Sequence, residues 1–346
     1  MRRSVQPHAT PGPGPGTIRI PAPPRPAPPR MASRLRTHHD PHFRNRPVIR
    51  IGVDVGGTKI EAIAIDAAGR ELARRRIASP SDDYAQVVEA IRSLVGELEA
   101  GLGARASVGV GMPGAVSAAT GLIKNANSTR LNGRPLVQDL AQALGRAVRV
   151  ENDANCFALS EAIDGAGAGH RLVFGAILGT GVGGGIVACG RPWVGANAIG
   201  GEWGHNELPS RTETGLPDTA CYCGRRRCIE TYVSGPALAA DHARTAPPLP
   251  DAQQLVTLAR SGNPLAQATL HRFYNRLASA LATVVNVLDP DVIVLGGGLS
   301  NIDELYPEVT ARLPAFVFSD RCTTTIVKNR HGDSSGVRGA AWLWPG

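Results

Sequence analysis

The chain has 346 residues, 42% of them apolar and 19% charged, with a formal net charge of +8. That is enough length and apolar material for two lobes with a sizeable core. No apolar run is long enough to span a bilayer, so no membrane partner is expected. The charge is unevenly placed: residues 1–50 hold ten arginines, no lysine and one acid, Asp40, a net of +9, while the other 296 residues sum to −1. The part that folds therefore gives no electrostatic reason to bind nucleic acid.

Residues 1–47 contain 12 prolines, with repeats such as Pro11-Gly-Pro-Gly-Pro-Gly16. Proline removes donors and fixes φ, and few apolar side chains remain to offset ordering entropy, so this stretch reads as a disordered tail. No apolar stretch follows Arg2-Arg3, so it is not a secretory signal. A true start at Met31 or later is the plainer explanation of it. Ile49–Asp54, Ile60–Asp66 and Glu71–Ile77 then read as three short strands joined by tight turns. A helix follows, capped by Ser81 or Asp82, with Val87, Ile91, Leu94, Val95 and Leu98 at helical spacing. Val108–Met112 is a strand, and Val148–Glu151 another that runs into Asn152-Asp153 and an Ala-rich helix. Val173–Leu178 and Gly185–Ala188 form a second hairpin around a glycine-rich bend. A long helix spans about Pro264 to Leu288, and Val292–Leu295 is a buried strand ended by three glycines. Similar units in two halves predict an α/β fold of two lobes facing a cleft.

Three glycine-rich turns have the composition of phosphate sites. In Asp54-Val-Gly-Gly-Thr-Lys59, Gly56 and Gly57 let backbone approach an anion, Thr58 offers a hydroxyl, Lys59 a charge, and Asp54 a ligand for Mg²⁺. A plain hairpin turn explains the same residues. Gly179-Thr180-Gly181-Val-Gly-Gly184 spells G-x-G-x-x-G, but a strand follows it rather than a helix. A dinucleotide fingerprint is thereby excluded, and so is a P-loop. Gly296-Gly297-Gly298, after a strand, suits a flat base or ribose. Glu151-Asn152-Asp153-Ala-Asn155 places a carboxylate at a helix N-terminus that would help keep it ionised, ready to accept a proton from a hydroxyl attacking a γ-phosphate. A simple N-cap is the competing explanation. Glu202, His205 and Glu230 add groups able to pair with sugar hydroxyls.

Cys221, Cys223 and Cys228 lie within eight residues, and His205 sits sixteen positions before the first of them. A Cys₃His set fills a tetrahedral Zn²⁺ site and leaves no place for water, so the metal would be structural. Free thiols or a redox pair are the alternative. This crowding, with no signal sequence, fits a reducing cytoplasm better than a disulfide framework.

Together these segments, with Leu178-Gly-Thr-Gly181, Glu202-Trp-Gly-His205, Cys228-Ile-Glu230 and Leu295-Gly-Gly-Gly298, resemble the ROK family of repressors, open reading frames and sugar kinases. The resemblance implies a two-lobed actin-like ATPase (ribonuclease H-like) fold. It divides the chain into an N-terminal lobe, 48–150, and a C-terminal lobe, 151–346, whose final helix packs back on the first. It implies ATP and Mg²⁺ as cofactors beside structural Zn²⁺, a hexose substrate and a homodimer. Asp153 would be the general base. Asn127, Asn152, Glu202, His205 and Glu230 would hold the sugar, and Gly56, Gly57, Thr58, Gly179, Thr180 and Gly181 the phosphates. Lys124-Asn-Ala-Asn-Ser-Thr129, Leu131-Asn-Gly133 and His331–Trp342 look most like bacterial fructokinases, which implies transfer to the 6-hydroxyl of D-fructose. Kinases for N-acetylglucosamine, glucose or mannose are the alternatives within the family. A repressor would need a helix-turn-helix, which residues 1–47 are too proline-rich to build. One departure from the family pattern is Arg227, where a glycine often precedes the third cysteine.

Overall fold

The computed structural model describes residues 48–80, 83–246 and 251–345. The proposed tail, and the proposed caps Ser81 and Asp82, lie outside them. In chain order, β1 (Arg50–Val55), β2 (Lys59–Ile65) and β3 (Glu71–Ala78) make an antiparallel meander. Helix α1 (Tyr84–Leu102) is capped by Asp83, whose carboxylate accepts from the Ala85 N–H, and it buries Val87, Ile91, Leu94, Val95 and Leu98. β4 (Ser107–Met112) returns parallel to β1. The small β5–β6 hairpin (Ala115–Val116, Ile123–Lys124) and α2 (Leu136–Leu144) follow, and β7 (Val148–Asn152) closes the first sheet in the order β3-β2-β1-β4-β7.

The second half repeats this plan. After α3 (Asp153–Ile163), β8 (Leu172–Leu178), β9 (Val182–Ala188) and β10 (Arg191–Pro192) form a meander. Then come α4 (Glu230–Val233), α5 (Gly235–Ala243), α6 (Ala252–Arg260) and α7 (Pro264–Leu288). β11 (Val292–Gly296) pairs parallel with β8, α8 (Leu305–Arg312) follows, and β12 (Thr325–Lys328) pairs parallel with β11. The sheet order is β10-β9-β8-β11-β12, the counterpart of the first. α9 (Ser335–Trp342) ends the chain's regular structure. Central strands such as β11 are apolar throughout because both faces are covered.

Between the sheets, α9 lies on β1 and β4, α3 lies on β8 and β9, and the two helices pack on each other. The packing is close because glycines remove the side chains in between. A β-carbon on Gly109 would sit 1.9 Å from the Ala340 carbonyl oxygen. One on Gly175 would sit 2.8 Å from the Ala158 methyl, and one on Gly339 only 1.7 Å from the Cys156 carbonyl oxygen. Helix α3 is accordingly buried from Ala154 to Ala162, all the way round.

This packing makes a test. Gly339→Val places backbone and side chain in the same space. It is expected to destabilise the fold by about 3 kcal/mol, the upper end for overpacking, as measured by urea denaturation.

Candidate active site

The floor of the cleft is the β7–α3 junction. Asn152 is the cap of α3: its amide oxygen accepts from the Ala154 and Asn155 N–H groups, and its amide nitrogen donates to the Gly114 carbonyl at 2.9 Å. That side chain spends most of its hydrogen-bonding capacity on backbone and keeps one amide N–H for another partner. Asp153 is the first helical residue rather than the cap, and its Oδ1 accepts from the Ala154 N–H at 2.8 Å. The helix N-terminus does not dominate its titration. Burial raises Asp153 to about 6, the Ala154 N–H opposes this, and the charge of Glu202 adds to it. Desolvation of a carboxylate outweighs the partial charge of one helix end.

Asp54 sits at the end of β1, against the start of α9, where a β-carbon on Gly336 would lie 3.8 Å from its carboxylate. It too is raised to about 6, by burial first and by the charge of Asp153 second, with Lys59 acting in the opposite direction. Two partly desolvated carboxylates that repel each other suit a divalent cation, so the donor set fits Mg²⁺ at Asp54. The hairpin turn beyond it exposes Gly57 and Thr58 and half-buries Lys59, whose ammonium lies 3.8 Å from buried Glu61. The turn is held by Gly56 N–H donating to the Lys59 carbonyl at 2.9 Å.

The second glycine turn is shorter than expected. β9 begins at Val182 rather than Gly185, so only Gly179, Thr180 and Gly181 form the bend. The later glycines serve packing: a β-carbon on Gly184 would meet the Trp203 ring at 2.7 Å, and one on Gly185 the Ala154 carbonyl oxygen at 2.4 Å. Gly179, Thr180 and Gly298 line a cavity of about 900 Å³ together with Pro236, Val256 and Arg260. Gly297 is not in its lining. It has φ +79°, and a β-carbon there would sit 2.4 Å from the Leu178 carbonyl oxygen. The last three residues gave no sequence signal, because α5 and α6 carry no motif.

A second cavity, of about 920 Å³, gathers Asn127, Glu202 and His205 with Asn125, Trp203 and Tyr222. Asn152, Asp153 and Glu230 are not among its lining residues. Asp153 and Glu202 are nonetheless close enough to couple electrostatically. Glu230, at the start of α4, accepts from the Val182 N–H at 2.8 Å, and its Oε2 lies 2.7 Å from where a β-carbon on Gly181 would stand. It thus braces the second glycine turn. Trp203 donates its indole N–H to the Gly183 carbonyl at 2.9 Å and meets Phe174 edge-on. Tyr222 could have been suspected from its place between two cysteines.

His205, Cys221, Cys223 and Cys228 form one cluster whose ligand atoms all lie within 4.8 Å of one another. Cys223 Sγ is 3.6 Å from Cys228 Sγ, and Cys221 Sγ is 3.7 Å from His205 Nδ1. Tetrahedral Zn²⁺ with Zn–S of about 2.3 Å and Zn–N of about 2.05 Å requires edges of about 3.8 and 3.6 Å. The residues therefore fit that ion. His205 Nε2 lies 3.1 Å from the Tyr222 hydroxyl, so the ring edge expected to face a sugar meets a phenol. Arg227 adopts φ +60°, the left-handed region that favours glycine, so the departure in sequence is a strained turn with the ligand spacing intact.

The description "ROK family" matches residues 50–346 of the chain. An N-acetyl-D-glucosamine kinase of Vibrio cholerae serotype O1 is 43% identical over 296 residues, 84% of this chain and 98% of that protein. The ROK hexokinase of Thermus thermophilus superposes with a TM-score of 0.75 at 31% identity, over 86% of this chain and 97% of that one. A ROK family glucokinase of Streptomyces griseus, solved in complex with glucose and AMPPNP, superposes with a TM-score of 0.67 at 29% identity, over 85% and 98%. The fold is the two-lobed actin-like ATPase fold, and the chain belongs to the ROK family.

Proposed function

We propose that the protein is an ATP-dependent hexose kinase in which Asp153 is the general base. The observation that carries this reading is the pair Asp153 and Asp54, two half-buried carboxylates that feel each other's charge, each at the end of a strand and each raised to about 6. A sugar hydroxyl attacks the γ-phosphorus, its proton passes to the Asp153 carboxylate, and ADP leaves. Mg²⁺ at Asp54 would neutralise phosphate charge. Gly179, Thr180 and Gly298 take the nucleotide, with Gly56, Gly57 and Thr58 on the phosphates. Glu202 and Asn127 face the sugar. His205, Cys221, Cys223 and Cys228 would hold Zn²⁺, which would brace the segment that ends in Glu230, and Glu230 holds the Val182 N–H beside Gly181.

The two candidate hexoses do not stand equally. N-acetyl-D-glucosamine is favoured by the relatives that carry that name at 40–43% identity. D-fructose, first by sequence resemblance, is not the substrate those names give. The stretch that carried the fructose resemblance does, however, supply Asn125, Ala126 and Asn127 to the cavity wall. Asn132 holds Ala126 there through two hydrogen bonds of 2.9 Å.

A coupled assay on N-acetyl-D-glucosamine, fructose, mannose and glucose is expected to give one of the first two the highest kcat/KM. Equal, negligible rates on all four sink the kinase reading. The rate should be full above neutrality and fall as pH drops through about 6, where the Asp153–Asp54 pair takes up a proton. Asp153→Asn should lower kcat by at least about 10³-fold with sugar binding retained. Metal analysis should find zinc in the purified protein, and Cys223→Ser should lose it and melt several degrees lower. Wild-type protein without zinc removes the brace from this account.

A further inference from the structure

Lys124 stands at the end of the β5–β6 hairpin, and its ammonium donates to the Asn197 backbone carbonyl at 2.8 Å, 73 residues away in sequence. The residues after Lys124 form one wall of the second cavity: Asn125, Ala126 and Asn127. The residues after Asn197 form another part of its wall: Ile199, Gly201 and Glu202. The bond thus joins two walls that belong to opposite halves of the chain.

Each wall is fixed on its own side. On the first, the Asn132 amide clamps Ala126, and the Gly133 N–H donates to the Ile123 carbonyl at 2.8 Å. On the second, the Trp193 N–H donates to the Ile186 carbonyl of β9 at 2.7 Å, and the Gly200 N–H to the Val194 carbonyl at 2.9 Å. A rigid hairpin and a rooted loop leave their separation as the adjustable quantity. A charged donor on a neutral carbonyl is stronger than a neutral pair and acts at that point. The four-carbon stem gives it reach without adding a second fixed wall.

We propose that Lys124 is a positioning residue that sets the width of the sugar pocket by tying its two walls together, and so contributes to hexose affinity without touching the nucleotide. This rests on the hexose-kinase reading for its ligand. Its acceptor is a backbone carbonyl, so the donor is the end to remove. Lys124→Met keeps the stem and deletes the charge, and Lys124→Arg keeps a donor.

The test titrates N-acetyl-D-glucosamine, D-fructose, mannose and glucose separately into the full chain without nucleotide, following tryptophan fluorescence. Trp203 lines the cavity, and Trp193 stands at the root of the loop. For whichever sugar binds, Lys124→Met is expected to weaken affinity about 3- to 10-fold, the net size of one ordinary hydrogen bond in contact with solvent. Lys124→Arg should recover most of the loss. ADP affinity and melting temperature should stay within about 2-fold and a degree of wild type. Sugar affinity unchanged in Lys124→Met overturns the proposal. So does an equal loss of ADP affinity, which marks a general loosening. A wild type that binds none of the four hexoses overturns the hexose-kinase reading and this inference with it, whereas a wild type that binds its sugar no better than Lys124→Met removes the tie alone.

Discussion

The close packing of α3 on α9 is the constraint on which the rest depends. Each helix lies on one sheet, and the contacts are near enough that strand and helix backbones meet where glycines stand. Burying two helices between two sheets removes both inner faces from water, which is where most of the folding energy comes from. The same arrangement brings two helix starts to one place. Asp153 begins α3, and Asp54 faces the start of α9. The reactive end of the cleft is therefore a by-product of how the lobes are joined.

That placement sets the chemistry. A carboxylate in water is a weak base and is ionised well below neutrality. Burial moves both acids toward the range where proton uptake is useful, and their mutual repulsion moves them further. Around them, rigidity comes from backbone hydrogen bonds made by side chains that look functional in sequence. Asn152 caps α3 and reaches Gly114, and Glu230 holds Val182. Both act on the site by holding what surrounds it.

Much of this was legible from residues alone. Short apolar runs ended by glycine-rich turns gave β1, β2, β8 and β11, and helical spacing gave α1. The cysteine spacing gave the cluster, because thiolate ligands on one ion must be close in space. What was not legible has physical reasons. Gly184 and Gly185 look like phosphate residues by spelling, and only the neighbouring Trp203 and Ala154 show them to be packing residues. Asn152 and Asp153 are interchangeable as caps in sequence, and the backbone chose Asn152. α5 and α6 are short and carry no motif, so the wall they give to the first cavity was invisible. The preferred hexose was not legible either, because the second cavity is assembled from segments far apart in the chain and no local pattern encodes its shape.

The two sheets share one strand order, hairpin first and parallel strands after. The cleft then lies between two versions of one half-molecule, and its two glycine bends are counterparts. They have diverged in opposite directions. The first bend is flanked by Asp54 and Lys59, the second by Leu178 and Val182. The cleft is polar in consequence: a carboxylate and an ammonium adjoin the first bend, whereas the second presents its backbone with the Glu230 carboxylate behind it. The same substitution therefore meets different surroundings in the two bends.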